Sequence, residues 1–575
     1  MFNQPEDGLL ARANALVKAM ADQKAVMAEM KRIYLMDWGE GMSEKAPYIR
    51  EMRDTQPFDA VNWAVDVLSA NPPHIEIEIP RVLIDTKGAS SSLQTFQELP
   101  HDTGEVIEAA VRKALAQNDS TALNSLLRNV VTSMFLYDMA VVKVADIRNT
   151  ARWKKSRLRD KHRSPFVIKA YDPTNIYYET DEYGVSAVLQ RYIRPLREVI
   201  AIYGSQEDID ADSNGNVIFC EWWERDKMAK WVERTVNYNE TIDSSQYVSA
   251  AKMLEPYTDN PLGFIPYAIR IGRGVQFFQE HANQIMPLLY GGWKSKLFYR
   301  ANLFLSIVST LAFAMANPQF VYASHTGEKT FDLDFSAPAV HAIQVGESIS
   351  PMNVGLNRDL YDVLQLVLGK SEQTTMPRVL AGQAPGGVTA ASAINLLIQG
   401  GKLNVNSVQS AVGELYTSVI DIILDYIKVN KEPIRFLRND SVQEIGADNI
   451  PEWLDVKVSL QTNMPQDKAM LYNIAMQAWK AGFISKSTAW DIAGVDDKQR
   501  EAALLDIEKA MQVQEDMENQ QPQAVPSTAG AAGQMLPQQQ QMQNQVEMNP
   551  QANNPLLDLM NAQENANANP MERFE

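Results

Sequence analysis

The sequence predicts an α+β chain of several domains, and three observations predict it. A chain of 575 residues is too long for one hydrophobic core. Roughly its first half mixes stretches of helical spacing with stretches of two-residue alternation. From about residue 283, long runs of three-and-four spacing take over, interrupted by one short strand-rich insertion.

Helical periodicity runs through Leu9–Tyr34 and again through Val106–Phe135, where Ala109, Val111, Leu115, Leu123, Leu127 and Val131 mark one face. Alternation at His74–Pro80 and Val141–Asp146 reads as strand. Phe166–Ile193 reads as three strands, separated by a turn at Asp172-Pro173 and another at Glu182–Gly184. Asn214-Gly215 opens a further strand through Glu224, with its partner at Ala229–Arg234. A long helix is expected over Asn283–Ala316, with Leu289, Trp293, Leu297, Ala301, Phe304, Val308, Leu311 and Met315 on one face. Asn317-Pro318 ends it. Short strands and turns follow, and then a helix over Leu356–Thr374 carrying Leu356, Leu360, Val363 and Val367.

The next stretch is the most unusual. Met376–Val388 holds Pro377, Gly382, Pro385, Gly386 and Gly387, so it cannot be regular helix or a central strand. From Thr389 a helical pattern runs to Asn430 through Ile394, Ile398, Val405, Val408, Val412, Leu415, Val419, Ile422 and Tyr426. With Gly401 in the vacant slot the spacing is a continuous 4-3-4-3, as in a helix packed lengthwise on others. Gly400 and Gly401 each cost roughly 1 kcal/mol relative to Ala in a helix, and such a pair is a place to bend. A long helix with a kink, entered through a loop, suggests a mechanical element more than a catalytic one. Beyond it a small helical module is expected. Ala469–Ala481 forms a helix closed by Gly482, Ser485 and Ser487 can cap a short one, and Asp496 caps another. From about residue 518 the chain is dominated by Gln, Asn, Pro, Ala and Met, a composition expected to stay disordered.

Composition excludes several functions. The formal charge of −18 argues against a surface that grips nucleic acid throughout. The only cysteine is Cys220, so no disulfide framework or multi-cysteine metal site exists, which fits a reducing cytosol. The N-terminus lacks the order of a signal peptide. Leu303–Ala316 is apolar but spans only 14 residues, against roughly 20 for a membrane crossing, so a buried or inter-subunit helix is expected. Gly369-Lys370-Ser371 mimics the end of a phosphate loop, but Leu364 stands where that loop needs Gly. The six histidines never pair at metal-ligand spacing, and no serine nucleophile elbow occurs. No catalytic site, cofactor or metal is expected. The basic run Arg148–Arg163 has eight Lys or Arg against one Asp. It reads as a solvated loop or as a contact for phosphate or an acidic partner.

In this order the elements resemble the portal proteins of tailed bacteriophages, most closely those of short-tailed phages. The resemblance covers roughly residues 10–515. It rests on the block 283–430, with PGGVTAASAINLL as its most diagnostic part, and on DPTNIYYETDEYGV, NPLGFIPYAIRIG and GFISKSTAWDIAGVDDKQREAALLDIEKA. It implies a dodecameric ring around an axial channel at one capsid vertex of the virion, assembled in the host cytoplasm. The channel would pass double-stranded DNA during packaging and ejection. By position, a mixed α/β wing would be 1–282, stem helices 283–316 and 353–375, and a β clip 317–352. The tunnel loop would be 376–388, the kinked wing helix 389–430, a helical crown 431–517 and the disordered tail 518–575.

The resemblance also implies partners and contact residues. Met376, Pro377, Arg378, Gln383, Pro385, Gly386, Gly387 and Thr389 would face the channel. There Arg378 would touch phosphate weakly or pair with a neighbouring subunit's carboxylate. His325, Glu328, Lys329, Asp332 and Asp334 would dock the terminase large subunit and later the tail adaptor proteins. Val412, Leu415 and Val419 would form an inter-subunit seam. The major capsid protein and scaffold are further expected partners, and no stable membrane insertion is expected. Pro555–Met560 would be a docking peptide or a plain spacer. A competing reading, an internal scaffold or minor head–tail connector without a DNA channel, shares the acidic charge and the Gln-rich tail. It would not need the loop beside a Gly-kinked helix.

Overall fold

The computed structural model describes residues 5–37, 49–78, 103–119, 125–155, 163–204, 211–233, 251–275, 280–316, 320–323, 346, 348–351, 358–375, 391–430, 433–438, 441–451, 454–460, 465–483, 485 and 489–490. The chain divides into two compact units, Met1–Phe483 and Ile484–Glu575. In the second, the described contact is the Ala489 amide donating to the Ser485 carbonyl. The first unit holds every element below.

The run Leu9–Tyr34 is two helices, α1 (Pro5–Ala19) and α2 (Ala21–Tyr34), joined at Met20. Met20 is fully buried, and its sulfur accepts the Tyr178 amide, so the junction is a core position. Next, α3 (Gln56–Ser69) has Pro57 in its first turn, where the missing N–H costs nothing, and the Thr55 hydroxyl bonds Asp59. Strand β1 (His74–Glu78) follows. The run Val106–Phe135 also divides, into α4 (Thr103–Asp119) and α5 (Leu126–Tyr137). Asp119 at the end of α4 accepts the Leu127 amide at 3.0 Å, satisfying a free donor in the first turn of α5.

Then come β2 (Met139–Asp146), the short α6 (Ala151–Lys155) and β3 (Phe166–Tyr171). Asp172 accepts the Thr174 amide and hydroxyl, which builds the expected turn at Asp172-Pro173. Beyond it run β4 (Ile176–Asp181), β5 (Gly184–Pro195), α7 (Leu196–Tyr203), β6 (Asn216–Glu224) and β7 (Lys227–Glu233). The turn into β6 needs the left-handed conformation at Gly215 (φ +74) that its Asn-Gly pair suggested. Two strands not anticipated as such are β8 (Ala251–Asp259) and β9 (Tyr267–Ile271). Strands β4 to β8 form an antiparallel sheet in sequence order, and β2 sits between β3 and β9 in a second sheet.

The helix expected over Asn283–Ala316 is interrupted. A short α8 (Tyr290–Lys294) ends at a kink where Lys296 takes φ +57, and α9 (Leu297–Ala316) then runs for 20 residues. Strands β10 (Phe320–Ala323) and β11 (Ser348–Pro351) pair antiparallel and precede α10 (Arg358–Thr374). The longest element is α11 (Ala391–Val429), 39 residues of unbroken helix.

After α11 the expectation of a purely helical module is corrected. A hairpin of β12 (Ile434–Arg438) and β13 (Ser441–Ile445) comes first. Strand β14 (Asp455–Ser459) then pairs in full antiparallel register with β1, nearly four hundred residues earlier. The alternation of Val456 and Val458 is too short to stand out in sequence, and the pairing is non-local. Helix α12 (Pro465–Lys480) follows, close to the expected Ala469–Ala481.

Candidate functional site

Helices α9 and α10, over which stem helices were expected, pack on each other. Helix α10 turns Leu364 and Ser371 inward, with Leu360 and Val367 half-buried, while Tyr361, Val363 and Leu366 face outward. Val363 therefore leaves the face expected for it. The Gly369-Lys370-Ser371 triplet lies inside this helix. Pairing of Phe320–Ala323 with Ser348–Pro351 brings the two ends of the insertion between α9 and α10 together. The expected clip residues His325, Glu328, Lys329, Asp332 and Asp334 lie between these ends and outside the described residues. So do the channel-loop residues Met376, Pro377, Arg378, Gln383, Pro385, Gly386, Gly387 and Thr389.

Helix α9 departs from its apolar pattern in an informative way. Its most buried residues are Phe298, Ala301, Asn302 and Ser306, whereas Phe313 and Met315 are exposed. The polar pair is covered by an extended segment that precedes α3. The Ser306 hydroxyl accepts the Met52 amide at 2.9 Å and donates to the Met52 carbonyl at 3.2 Å. Thr310 accepts the Arg50 amide at 2.9 Å, and Asn302 accepts that of Asp54 at 2.8 Å. By length and composition α9 could cross a membrane, yet these bonds give its polar stripe partners within the protein.

The long helix α11 is held along its C-terminal half by the sheets. It packs on β2, β9, β14 and α5. Val412, Leu415 and Val419 are 0%, 0% and 1% exposed in the single chain. The inter-subunit seam expected at these three residues is thus corrected, because the protomer's own core covers them and leaves no surface for a neighbour. Gly413 permits the closest approach, since a Cβ there would stand 2.7 Å from the Val458 carbonyl oxygen of β14. Nearby, the Gln409 amide donates to the Leu460 carbonyl at 2.5 Å. At the far end the Tyr426 hydroxyl donates to the Val144 carbonyl, and Asn430 donates to the Asp146 carboxylate at 2.6 Å. Helical assignment runs through Gly400 and Gly401 without a break.

Asp138, between α5 and β2, was not singled out by sequence reading. It ends α5 in the left-handed conformation (φ +58) and is fully buried. One carboxylate oxygen accepts the Arg273 amide at 2.6 Å and the other accepts the Met286 amide at 2.7 Å. One side chain thereby fixes α5, the end of β9 and the segment leading to α8. Burial pushes its carboxyl up to about 6, against the opposing pull of the Arg273 and Met286 amides. The available signal was weak: a lone Asp after an apolar helix usually means a solvated cap.

A second buried charge anchors α2 on the Asp172-Pro173 turn. The Lys24 ammonium donates to the Pro173 carbonyl at 2.6 Å and to that of Ile176, and burial draws its pKa down to about 7. In the basic run, Arg148 is buried and pairs with Asp146 at 2.5 Å, while Lys154 and Lys155 are exposed on α6. Its first cation is therefore structural, and residues 156–162 lie outside the described residues. Among the described residues no cluster of His, Cys, Asp or Glu could hold a metal.

Comparison with known proteins bears on the region from α10 onward. Residues 359–515 match the family model of phage portal proteins described as SPP1 Gp6-like. Over that stretch the chain is similar to this family. The match begins in α10 and includes α11, β12 to β14 and α12. Among solved structures, the neck of an empty gene transfer agent particle, computed with C6 symmetry, aligns at TM-score 0.38 and 9% identity, covering 80% of this chain and 94% of that one. The neck of the native particle, computed with C12 symmetry, aligns at TM-score 0.38 and 8% identity, covering 76% and 89%. The native virion gives TM-score 0.39 and 8% identity, covering 80% and 94%. No curated protein matches the sequence.

Proposed function

We propose that this chain closes into a ring of identical copies at one capsid vertex. In that ring it forms the channel through which double-stranded DNA enters during packaging and leaves during ejection. The observation that carries the reading is the portal-family match over 359–515, which spans the second stem helix, the loop and the long helix. The outward apolar side chains Tyr361, Val363 and Leu366 of α10, with Tyr299, Phe313 and Met315 of α9, favour contact with neighbouring copies along the stem. A formal charge of −18 suits a channel that must let DNA slide, because tight phosphate binding needs clustered cations.

In this reading Met376, Pro377, Arg378, Gln383, Pro385, Gly386, Gly387 and Thr389 face the channel. Gly400 and Gly401 let α11 bend, and the clip residues Glu328, Lys329, Asp332 and Asp334, with His325, dock the terminase large subunit and then the tail adaptor. The protein acts at the portal vertex of the virion, after assembly in the host cytoplasm with capsid protein and scaffold. Depletion of this chain during particle assembly tests the function. The expected result is shells without genome, rescued by supplying the chain in trans. DNA-filled particles lacking the protein would overturn it.

A further inference from the structure

The segment 50–56 and α9 meet in a regular register. Amides at Arg50, Met52 and Asp54 bond Thr310, Ser306 and Asn302 in turn, so the segment runs antiparallel to α9. Two extended residues advance about 6.6 Å and four helical residues about 6 Å, so alternate amides meet successive i, i+4 side chains. The same segment continues to the second stem helix. The Gln56 side-chain amide donates to the Thr375 hydroxyl at 3.2 Å, and Thr375 is buried at the end of α10, directly before residue 376. One short strap thus touches both stem helices.

The chemistry of the contact is also distinctive. Glu51, Met52 and Arg53 keep their side chains exposed; besides the backbone bonds, the Arg50 guanidinium lies 3.2 Å over the Phe313 ring and Arg53 donates to the Met36 carbonyl, so the strap is held by polar and cation–π contacts rather than by buried apolar side chains. On a largely apolar helix, the stripe under it is Asn302, Ser306 and Thr310. If the strap lifts, both surfaces that separate can be solvated by water. A strap seated on leucines would instead expose apolar area. Elements held by few buried apolar contacts are the ones that open locally before the rest unfolds.

We propose that residues 50–56 are a releasable latch, with Asn302, Ser306, Thr310 and Thr375 as its positioning residues. Closed, it ties α9 and the end of α10 to α3. Open, it frees the stem pair and the root of the loop expected at 376–388. The role given to that loop rests on the portal reading; the latch itself does not.

Hydrogen exchange on the purified full-length chain tests it, comparing the natural sequence with Asn302→Leu/Ser306→Ala/Thr310→Val. The expected result is exchange in 50–54 faster by about tenfold or more, accompanied by faster exchange at 371–375. Unchanged exchange in 50–54 overturns the latch, and a rise confined to 50–54 overturns the coupling to α10. Ser306→Ala alone removes one oxygen and serves if the triple variant misfolds; it should raise exchange at Met52 and, to a smaller extent, at 371–375, with the same two outcomes overturning the latch and the coupling. Exchange is read whether or not the chain closes into a ring. A missing ring would therefore count against the proposed function and leave this test standing.

Discussion

Replacing Asp138 with Asn gives a pH-dependent effect whose sign and size follow from its surroundings. The carboxyl is fully buried and its pKa rises from 3.8 to about 6, burial being the largest cause. Between those values the folded chain holds a proton that the unfolded chain has lost. Stability from this group is therefore complete below about pH 4 and falls as pH rises to about 6, by about 3 kcal/mol in all. The amide introduced by Asp138→Asn would not titrate. Its nitrogen would instead face one of the backbone donors, such as Arg273 or Met286, at a cost of about 1–3 kcal/mol at every pH. The variant should thus be clearly weaker than the natural protein at pH 4 and nearly equal to it at pH 7. Urea denaturation of both proteins at several pH values reads the difference. A gap between them that stays constant from pH 4 to 7 would refute the claim that a buried, proton-sensitive carboxyl joins α5 to the segments at Arg273 and Met286.

Two further predictions concern α11. Val412→Asp buries an unpaired carboxylate in the protomer core, at a cost on the order of 5 kcal/mol, and should unfold the chain rather than only separate subunits. Circular dichroism of a soluble, fully folded monomer would contradict that placement. Gly413→Ala sets a Cβ 2.7 Å from the Val458 carbonyl, so β14 must shift, at about 1–3 kcal/mol. The melting temperature should fall and amide exchange at 455–459 should rise; an unaltered melt would remove the close contact from the account.

Much of the fold was legible because its signals are local. Three-and-four spacing marked α9, α10 and α11, and the Asp172-Pro173 and Asn214-Gly215 turns carried their chemistry in adjacent residues. Misreadings arose where distant parts decide. Periodicity alone carried a single helix through Met20 and through Lys296, because a break satisfied by core packing or a left-handed residue leaves the apolar count intact. Strand β14 depends on β1 for its partner, so its five residues said little alone. The 4-3-4-3 row on α11 announced burial but not what buries it, and the sheets of the same chain proved to be the partner. On α9 the polar residues are the buried ones because a strap from residues 50–54 covers them, which no helical pattern encodes. Asp138 was missed for a similar reason, since its donors lie more than a hundred residues away.

The central claim is that copies of this chain close into a ring around a channel for DNA. Electron microscopy of the purified protein, with native mass measurement of the same sample, tests it most directly. The account predicts a closed ring with a central hole wide enough for duplex DNA and a mass that is a whole-number multiple of the protomer. Monomers or open chains without a hole, at concentrations where the protein is folded, would contradict it.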